Sequence, residues 1–358
     1  MDEQALRRML EGGGGIHGRL LRAAAFLPGL LYGGAMRARR RLYDAGVPKS
    51  FAPPLPTVSV GNIVMGGAGK TPFTAMLARA FIDWGARPAI LLRGYRANAS
   101  GESDEALLYG RLAPGAIVVA DSDRARGAAR AARDGATALL LDDGFQHLRL
   151  KRDVDIVLID ALCPWGGGRT IPAGTLREPK AALGRADAIV ITRSDQRPVR
   201  EVDGLRREIA SRFPRIPVYI AMHRAAGLRR LSGGTVPLEW LSGRRVRLMS
   251  GIARPEAFAA TVAGLGAEIG VKVELPDHAS FSPARVREAL VAAEAAGAPV
   301  IVTEKDAARP ELREYAGERD VFALGVEMAV TDGDALLDMI RDRLGIGCGR
   351  GMSGILLQ

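Results

Sequence analysis

Cysteine is nearly absent from this chain. Its 358 residues include two, Cys163 and Cys348, far apart and in no C-x-x-C arrangement. That excludes a disulfide framework and a cysteine-built zinc site, and it fits a reducing compartment. Histidine is scarce as well: His17, His147, His223 and His278 are too scattered to form a metal cluster by spacing. Aromatic residues make up 5% of the chain, and no aromatic platform or nucleic-acid motif accompanies them. There is no apolar run of the ~20 residues that span a bilayer. Acidic residues are outnumbered by Lys and Arg, 40 to 50, which leaves a net charge of +10. Such a surplus favours anionic partners. The length suggests two domains, at roughly 100–200 residues each. The 47% hydrophobic content is enough for a sizeable core.

One apolar stretch, Ala23 to Met36 ("AAAFLPGLLYGGAM"), stands out. It is too short to span, and Pro28-Gly29 is expected to interrupt it. Arg19 and Arg22 precede it and "RARRR" (Arg37 to Arg41) follows. The arginines directly after the run argue against an export signal. A short apolar element rich in arginine suits a helix lying in the membrane interface, held by buried apolar area and anionic headgroups. "PKSFAPPLP" (Pro48 to Pro56) then reads as a stiff connection into the first strand.

"SVGNIVMGGAGKTPFTAMLARAF" (Ser59 to Phe81) has the form of a phosphate-binding loop between a strand and a helix. It departs from G-x-x-x-x-G-K-[ST] at one position, where Val64 replaces the first glycine. Gly66, Gly67 and Gly69, with Ala68 among them, supply permissive backbone beside Lys70, where amides must curl around phosphate oxygens. Lys70 is expected to neutralise phosphate, and Thr71 to ligate Mg²⁺. The helix N-terminus adds positive potential. Phe73, Met76, Leu77, Ala80 and Phe81 recur at helical spacing, with Gly85 as the stop.

Apolar strands follow in "RPAILLRGY", "GAIVVAD", "ATALLLDD", "VDIVLIDA" and "ADAIVITRSD". The helix between the second and third of these shows Arg126, Arg130 and Arg133 on one face, read as solvated. Asp142 and Asp143 end the third strand, where open α/β sheets bind ligands and phosphate-loop proteins hold Mg²⁺. "TRSD" (Thr192 to Asp195) is a variant of the T-K-x-D guanine-reading element, so a soluble GTPase of the metal-insertion or regulatory type is the alternative reading. From about Arg197 the punctuation loosens, and a second α/β layer without a phosphate loop follows. The expected fold is therefore α/β, with a doubly wound, mostly parallel sheet of the P-loop NTPase type. A second, smaller α/β domain and an N-terminal membrane-surface helix complete it. The expected division is residues 1–56 as membrane segment and linker, 57–196 as nucleotide domain, 197–344 as second domain, and 345–358 as a flexible tail.

Seven short tags occur in order: "SVGNIVMGGAGKTP", "LLRGY", "DDGFQH", "IPAGTLREP", "SGIARPEAF", "LPDH" and "VTEKDAAR". Together they resemble the tetraacyldisaccharide 4′-kinase family, the lipid A kinases of Gram-negative bacteria. That family's own phosphate loop also lacks the early glycine. The resemblance covers about Ala23 to Leu344. It implies transfer of the ATP γ-phosphate to the 4′-hydroxyl of a tetraacyldisaccharide 1-phosphate, giving lipid IVA. The implied setting is the cytoplasmic face of the inner membrane, with neither nucleic acid nor an obligate protein partner. ATP and Mg²⁺ are the implied cofactors. The implied roles place Asp142, Asp143, Gln146 and Glu178 with Thr71 around the metal, Asp142 first among them. Arg177 joins Gly66 to Thr71 at the nucleotide, and Arg124 is an active-site cation. An Asp104–His278 pair activates the sugar hydroxyl, an imidazole oriented by a carboxylate being able to accept its proton near neutral pH. The segment reaching Asp104 is shorter than is usual in the family, and Ser103 and Ala106 stand where it has Gly and Pro. His278 lies far along the chain from the phosphate loop, so the mechanism requires a cleft between the two halves.

Overall fold

Strand β1 (Thr57–Asn62) is buried along its whole length, which is the signature of a strand covered on both faces. The computed structural model describes residues 3–94, 104–275, 282–317 and 319–346. Twelve strands are present among them and share a single sheet. After β1 come β2 (Pro88–Leu92), β3 (Ile117–Ala120), β4 (Ala138–Asp142), β5 (Val154–Asp160) and β6 (Ala188–Thr192). Next are β7 (Val218–Arg230), β8 (Thr235–Val236), β9 (Arg245–Ser250), β10 (Glu268–Glu274), β11 (Val300–Thr303) and β12 (Val321–Thr331). Their order across the sheet is β10-β9-β11-β12-β7-β6-β5-β1-β4-β2-β3, with β8 paired to β7.

The first six strands are mutually parallel. β1 sits between β4 and β5, with Val60 beside Asp142 on one side and Ile156 on the other. Parallel strands need crossovers, and the helices supply them. Helices α1 (Glu3–Leu10), α2 (Gly15–Ala24) and α3 (Phe26–Asp44) precede the sheet. Within the first half lie α4 (Lys70–Asp83), α5 (Asp104–Leu112) and α6 (Arg124–Arg133). The remainder are α7 (Val199–Arg212), α8 (Pro255–Gly264), α9 (Pro283–Ala295), α10 (Glu304–Ala307), α11 (Pro310–Ala316) and α12 (Gly333–Leu344).

Alternate residues of β5 enter different cores, as the period of a strand requires. Ile156 and Leu158 pack with Phe73, Leu77 and Phe81 of α4. Val157 and Ile159 pack with Phe145, Val202 and Ile209 on the other face. The sheet is thus doubly wound and mostly parallel. Its antiparallel part is the long β7–β12 ribbon, which pairs from Arg230 with Phe322 to Ile220 with Thr331, and the β7–β8 pair. β7 also pairs with β6 in parallel, and β12 with β11, so the ribbon fuses two parallel sub-sheets. Chain order and packing part company at the end. Helix α12 follows the second half in sequence, yet its Leu336 and Ile340 complete the α4 core.

Helices α2 and α3 break at Ala25, ahead of the interruption expected at Pro28-Gly29. Pro28 instead lies in the first turn of α3, where its missing N–H is of no consequence. Gly29 and Gly33 form the buried stripe of α3. Thr170 Oγ1 donates to the Gly29 carbonyl at 2.6 Å. A Cβ at Gly29 would meet that of Ala173 at 2.9 Å, so only glycine lets the helix come this close. Gly29→Val is therefore expected to pry α3 from residues 170–173 and speed its limited proteolysis. The unfolding free energy of the sheet cores in urea should move by no more than about 0.5 kcal/mol, because no core side chain changes.

Candidate active site

The carboxyl ends of β1, β4, β5 and β6 converge, and each carries polar residues. Asn62 ends β1, Asp142 ends β4, Asp160 ends β5, and Thr192 with Arg193 ends β6. This is the edge of the sheet where the strand order turns outward from β1 on both sides, the usual ligand crevice of an open α/β sheet.

The missing early glycine has a structural reason. Val64 is still extended and forms an antiparallel bridge with Leu176, so a β-branched residue suits it. The chain curls only afterwards, with Gly66 at φ 104° and Gly69 at φ 84°. Gly69 caps α4, which opens at Lys70 and Thr71 and directs its first N–H groups at the loop. Lys70 Nζ lies 3.4 Å from both Asn62 Oδ1 and the Gly66 carbonyl, and 3.5 Å from Asp143 Oδ1.

The two acids at the end of β4 differ sharply. Asp143 adopts φ 55° and turns its carboxylate to Arg177, whose Nη1 donates to both oxygens at 2.8 Å. Burial would raise its pKa, but Lys70 and Arg177 outweigh burial and hold it at about 2. Asp142 is buried, and burial raises its pKa despite Lys70. Its Oδ2 accepts from Tyr109 at 2.7 Å, while its Oδ1 is buried without a hydrogen-bond partner. Arg124 Nη2 donates to the Asp142 carbonyl at 3.1 Å, and Arg124 Nη1 is likewise buried and unpartnered. Glu105, beside them, is also pushed up, by burial first and then by Asp142.

These features fit a magnesium ion. An orphaned, buried carboxylate oxygen leaves a desolvation cost that a cation would offset. Thr71, the second residue of α4, carries a hydroxyl next to Lys70 in the chain. Among the described residues no three His, Cys, Asp or Glu side chains converge on one point. Mg²⁺ takes one or two carboxylates together with substrate phosphates and water. Two members of the expected metal set have other work. Gln146 Nε2 donates to the Asn62 carbonyl at 2.9 Å and its Oε1 accepts from Arg177 at 3.4 Å, so it braces the loop. Glu178 is 3% exposed and both its oxygens are held by Arg185, at 2.7 and 3.0 Å. Arg185 in turn lies over the Phe145 ring, 4.0 Å from its centroid, which ties "LREP" to "DDGFQH". Glu178 thus enters the site as half of a closed ion pair.

A family model described as tetraacyldisaccharide-1-P 4′-kinase matches residues 22–345. The chain belongs to that family. A tetraacyldisaccharide 4′-kinase of Anaeromyxobacter sp. (strain Fw109-5) is 40% identical over 307 residues, covering 81% of this chain and 82% of the relative. One from Pelobacter propionicus is 35% identical over 336 residues, covering 88% and 90%. Among solved structures, the Aquifex aeolicus member in complex with ATP is similar with a TM-score of 0.72 and 29% identity. That match covers 90% of this chain and 99% of that one.

Within this kinase the structure unites Gly66 to Thr71, Asp142, Asp143, Gln146, Arg177 and Arg124 in one cluster. His278 lies outside the described residues, as does the Asp104 side chain; the Asp104 backbone opens α5. Four neighbours of the cluster gave no sequence signal of their own. Asn62 lies inside a strand pattern, and in sequence alone nothing distinguishes Tyr109 from a core aromatic residue. Asp160 and Arg254 had no partner in view.

The Tyr109 hydroxyl favours the ionised form of Asp142, the form that binds a cation. Tyr109→Phe removes that donor, so the carboxyl titrates at higher pH. The acid limb of the pH profile for kcat/KM should move upward. The loss at the acid end should be about tenfold, as expected for a hydrogen bond to a charged group worth about 1.5 kcal/mol. The plateau at alkaline pH should stay near wild type, and measuring kcat/KM across pH checks both.

Proposed function

We propose that this kinase transfers the γ-phosphate of ATP to the 4′-hydroxyl of a tetraacyldisaccharide 1-phosphate, giving lipid IVA, at the cytoplasmic face of the inner membrane. The observation that carries the reading is the placement of Lys70, at the mouth of a phosphate loop, against two strand-end carboxylates of opposite character. Phosphoryl transfer needs charge neutralisation and an oriented hydroxyl more than covalent chemistry from the protein. Lys70, Arg177 and Arg124 supply cations. The α4 N-terminus and loop amides supply donors. Asp142, with Thr71, would hold Mg²⁺, which when bound would neutralise phosphate charge. Asp143 keeps Lys70 and Arg177 in place. The Asp104–His278 pair would accept the hydroxyl proton, as the family resemblance implies. In the GTPase alternative, Arg193 of "TRSD" would face a guanine; here its Nη1 is bonded to the Gly67 carbonyl at 2.9 Å and to Asp160 at 2.7 Å.

The lipid acceptor requires access from a membrane, and α2 and α3 support that. Ile16, Leu20, Phe26, Leu27, Leu30 and Leu31 are all more than half exposed, an unusual concentration of large apolar side chains in two adjacent helices. No helix among the described residues is long and apolar enough to cross a membrane. Arg37, Arg40 and Arg41 continue α3 beyond the apolar part, a pattern suited to seating in an interface of anionic lipid. Arg39 of α3 donates to the Gln146 carbonyl at 3.3 Å, so the same helix touches the catalytic loop.

Purified protein in detergent should transfer label from γ-labelled ATP to a tetraacyldisaccharide 1-phosphate, and Lys70→Ala should lower kcat by at least about 10³-fold. Asp104→Ala and His278→Ala should each cost about 10²–10⁴-fold, the range for general acid–base catalysis. Survival of transfer in Asp104→Ala would move the base elsewhere. Absence of transfer by ATP-binding wild type would sink the acceptor assignment. In a separate test, Leu27→Glu with Leu31→Glu should abolish sedimentation with anionic vesicles while ATP binding persists.

A further inference from the structure

An amide can point at a phosphate only if the carbonyls of the same loop turn away and find donors elsewhere. In this loop the donors are side chains, and they come from all over the chain. Asn62 Nδ2 donates to the Val64 carbonyl at 2.7 Å and to that of Gly66 at 3.2 Å. Arg7 Nη2 donates to Met65 at 3.1 Å, Arg193 Nη1 to Gly67 at 2.9 Å, and Thr192 Oγ1 to Ala68 at 2.9 Å. Five successive carbonyls are thereby held from behind.

The two arginines are joined by a chain of alternating charge. Arg193 pairs with Asp160 at 2.7 Å, and Asp160 with Arg254 at 3.2 Å. Arg254 grips Glu11 with both terminal nitrogens, at 3.1 and 3.2 Å, and Glu11 pairs with Arg7 at 2.8 Å. The sequence of signs is plus, minus, plus, minus, plus. Each of the five side chains is no more than 18% exposed. In such a setting removing one charge leaves its neighbours uncompensated. The chain carries one net positive charge, and both of its ends terminate on phosphate-loop carbonyls.

Its members come from three regions. Arg7 and Glu11 belong to the N-terminal α1 and its end. Asp160 and Arg193 close two strands of the first half. Arg254 belongs to "SGIARP" in the second half, and the loop that presents it is itself anchored. Asp306 accepts from the Gly251 N–H at 3.1 Å and from Thr303 Oγ1 at 2.7 Å, and Arg309 Nη2 donates to the Gly251 carbonyl at 3.3 Å. Arg7 Nη1 adds a bond to the Ala253 carbonyl at 3.3 Å. Two sequence tags with no place in the phosphoryl transfer, "SGIARP" and "VTEKDAAR", are thus accounted for.

We infer that Glu11, Arg254 and Arg7 are positioning residues for the nucleotide: through Asp160 and Arg193 they fix the phosphate loop in its ATP-binding shape, and they make that shape depend on the seating of the N-terminal helix. The inference rests on the ATP site described above. None of the three need touch ATP. They set the direction of the Met65 and Gly67 carbonyls, and so of the amides between them.

The test is ATP binding by calorimetry on the full-length protein in detergent, with steady-state kinetics alongside. Glu11→Gln keeps the shape of the side chain and removes its charge. It should weaken ATP binding about fivefold or more and raise the KM for ATP to match. kcat and the KM for the lipid acceptor should stay within about twofold. Arg254→Gln should behave alike, and Arg254→Lys should recover part of the loss. Because Glu11 and Arg193 act through one chain, Glu11→Gln combined with Arg193→Gln should be less damaging than the product of the single losses. If Glu11→Gln fails to fold, Arg7→Gln, which acts on the Met65 carbonyl directly, should still show the selective rise in KM for ATP. ATP affinity unchanged in Glu11→Gln and Arg7→Gln, with only the melting temperature lowered, overturns the proposal and leaves a merely structural chain. Additive losses in the double variant overturn it as well. Lys70→Ala serves as the control: its loss of ATP binding validates the site, so wild type that binds ATP without transferring phosphate would count against the acceptor and not against this inference.

Discussion

Everything at this site depends on the phosphate loop exposing its N–H groups to one side and its carbonyls to the other. Backbone polar groups that leave water must be paired, and a loop this curled cannot pair them with itself. In a helix or sheet the ladder would do it. Here Asn62, Arg7, Arg193, Thr192 and Lys70 do it, each with a side chain on a named carbonyl. That arrangement makes the loop's shape a property of the whole fold. It also explains why Val64 is acceptable where a glycine is usual. The curl begins after Val64, whose bridge to Leu176 requires extended backbone.

The same logic separates Asp142 from Asp143. Two adjacent carboxylates repel, and burying both would be costly. The fold resolves this by turning Asp143 into left-handed geometry, toward Arg177 and Lys70, while Asp142 stays in the sheet with one oxygen on Tyr109 and the other unpaired. Asp143 is thereby an anion at any physiological pH. Asp142 is the group whose ionisation a bound cation would draw out. A pair that looks redundant in sequence is divided into a brace and a carboxylate with one buried, unpartnered oxygen.

What could be read from the sequence was what short-range physics writes. The strand, loop and α4 helix follow from β-branched runs, glycines and 3.6-residue spacing within some 25 positions. The strand-end acids follow from an apolar run that stops at Asp142, and the doubly wound, mostly parallel sheet from alternation of such runs with helices. Tyr109 was illegible because a buried phenol and a buried core aromatic look alike until the partner 33 residues away is seen. Arg193 was visible as part of "TRSD", but its partner Gly67 is 126 residues distant, and Arg254 and Glu11 are 243 apart. The α12 helix carries no mark in its own letters that its apolar face belongs to the first core. Nor does periodicity reveal that Arg185 closes both oxygens of Glu178.

The N-terminal helices connect these long-range contacts to the lipid chemistry. A kinase whose acceptor is a lipid and whose donor is soluble gains from binding each in its own place. Helix α3 presents apolar residues outward, packs its glycine stripe on residues 170–173, and reaches the "DDGFQH" loop through Arg39. Helix α1 reaches the phosphate loop through Arg7, and Glu11 just past its end pairs with Arg254. One helical segment therefore borders both the "DDGFQH" loop and the phosphate loop. A shift of this segment would alter carbonyl pairing at Met65 and Gly67 and the bracing of Gln146 together. Such coupling needs no distant pathway, because each step is a contact already counted: helix to arginine, arginine to carbonyl, carbonyl to the amide beside it.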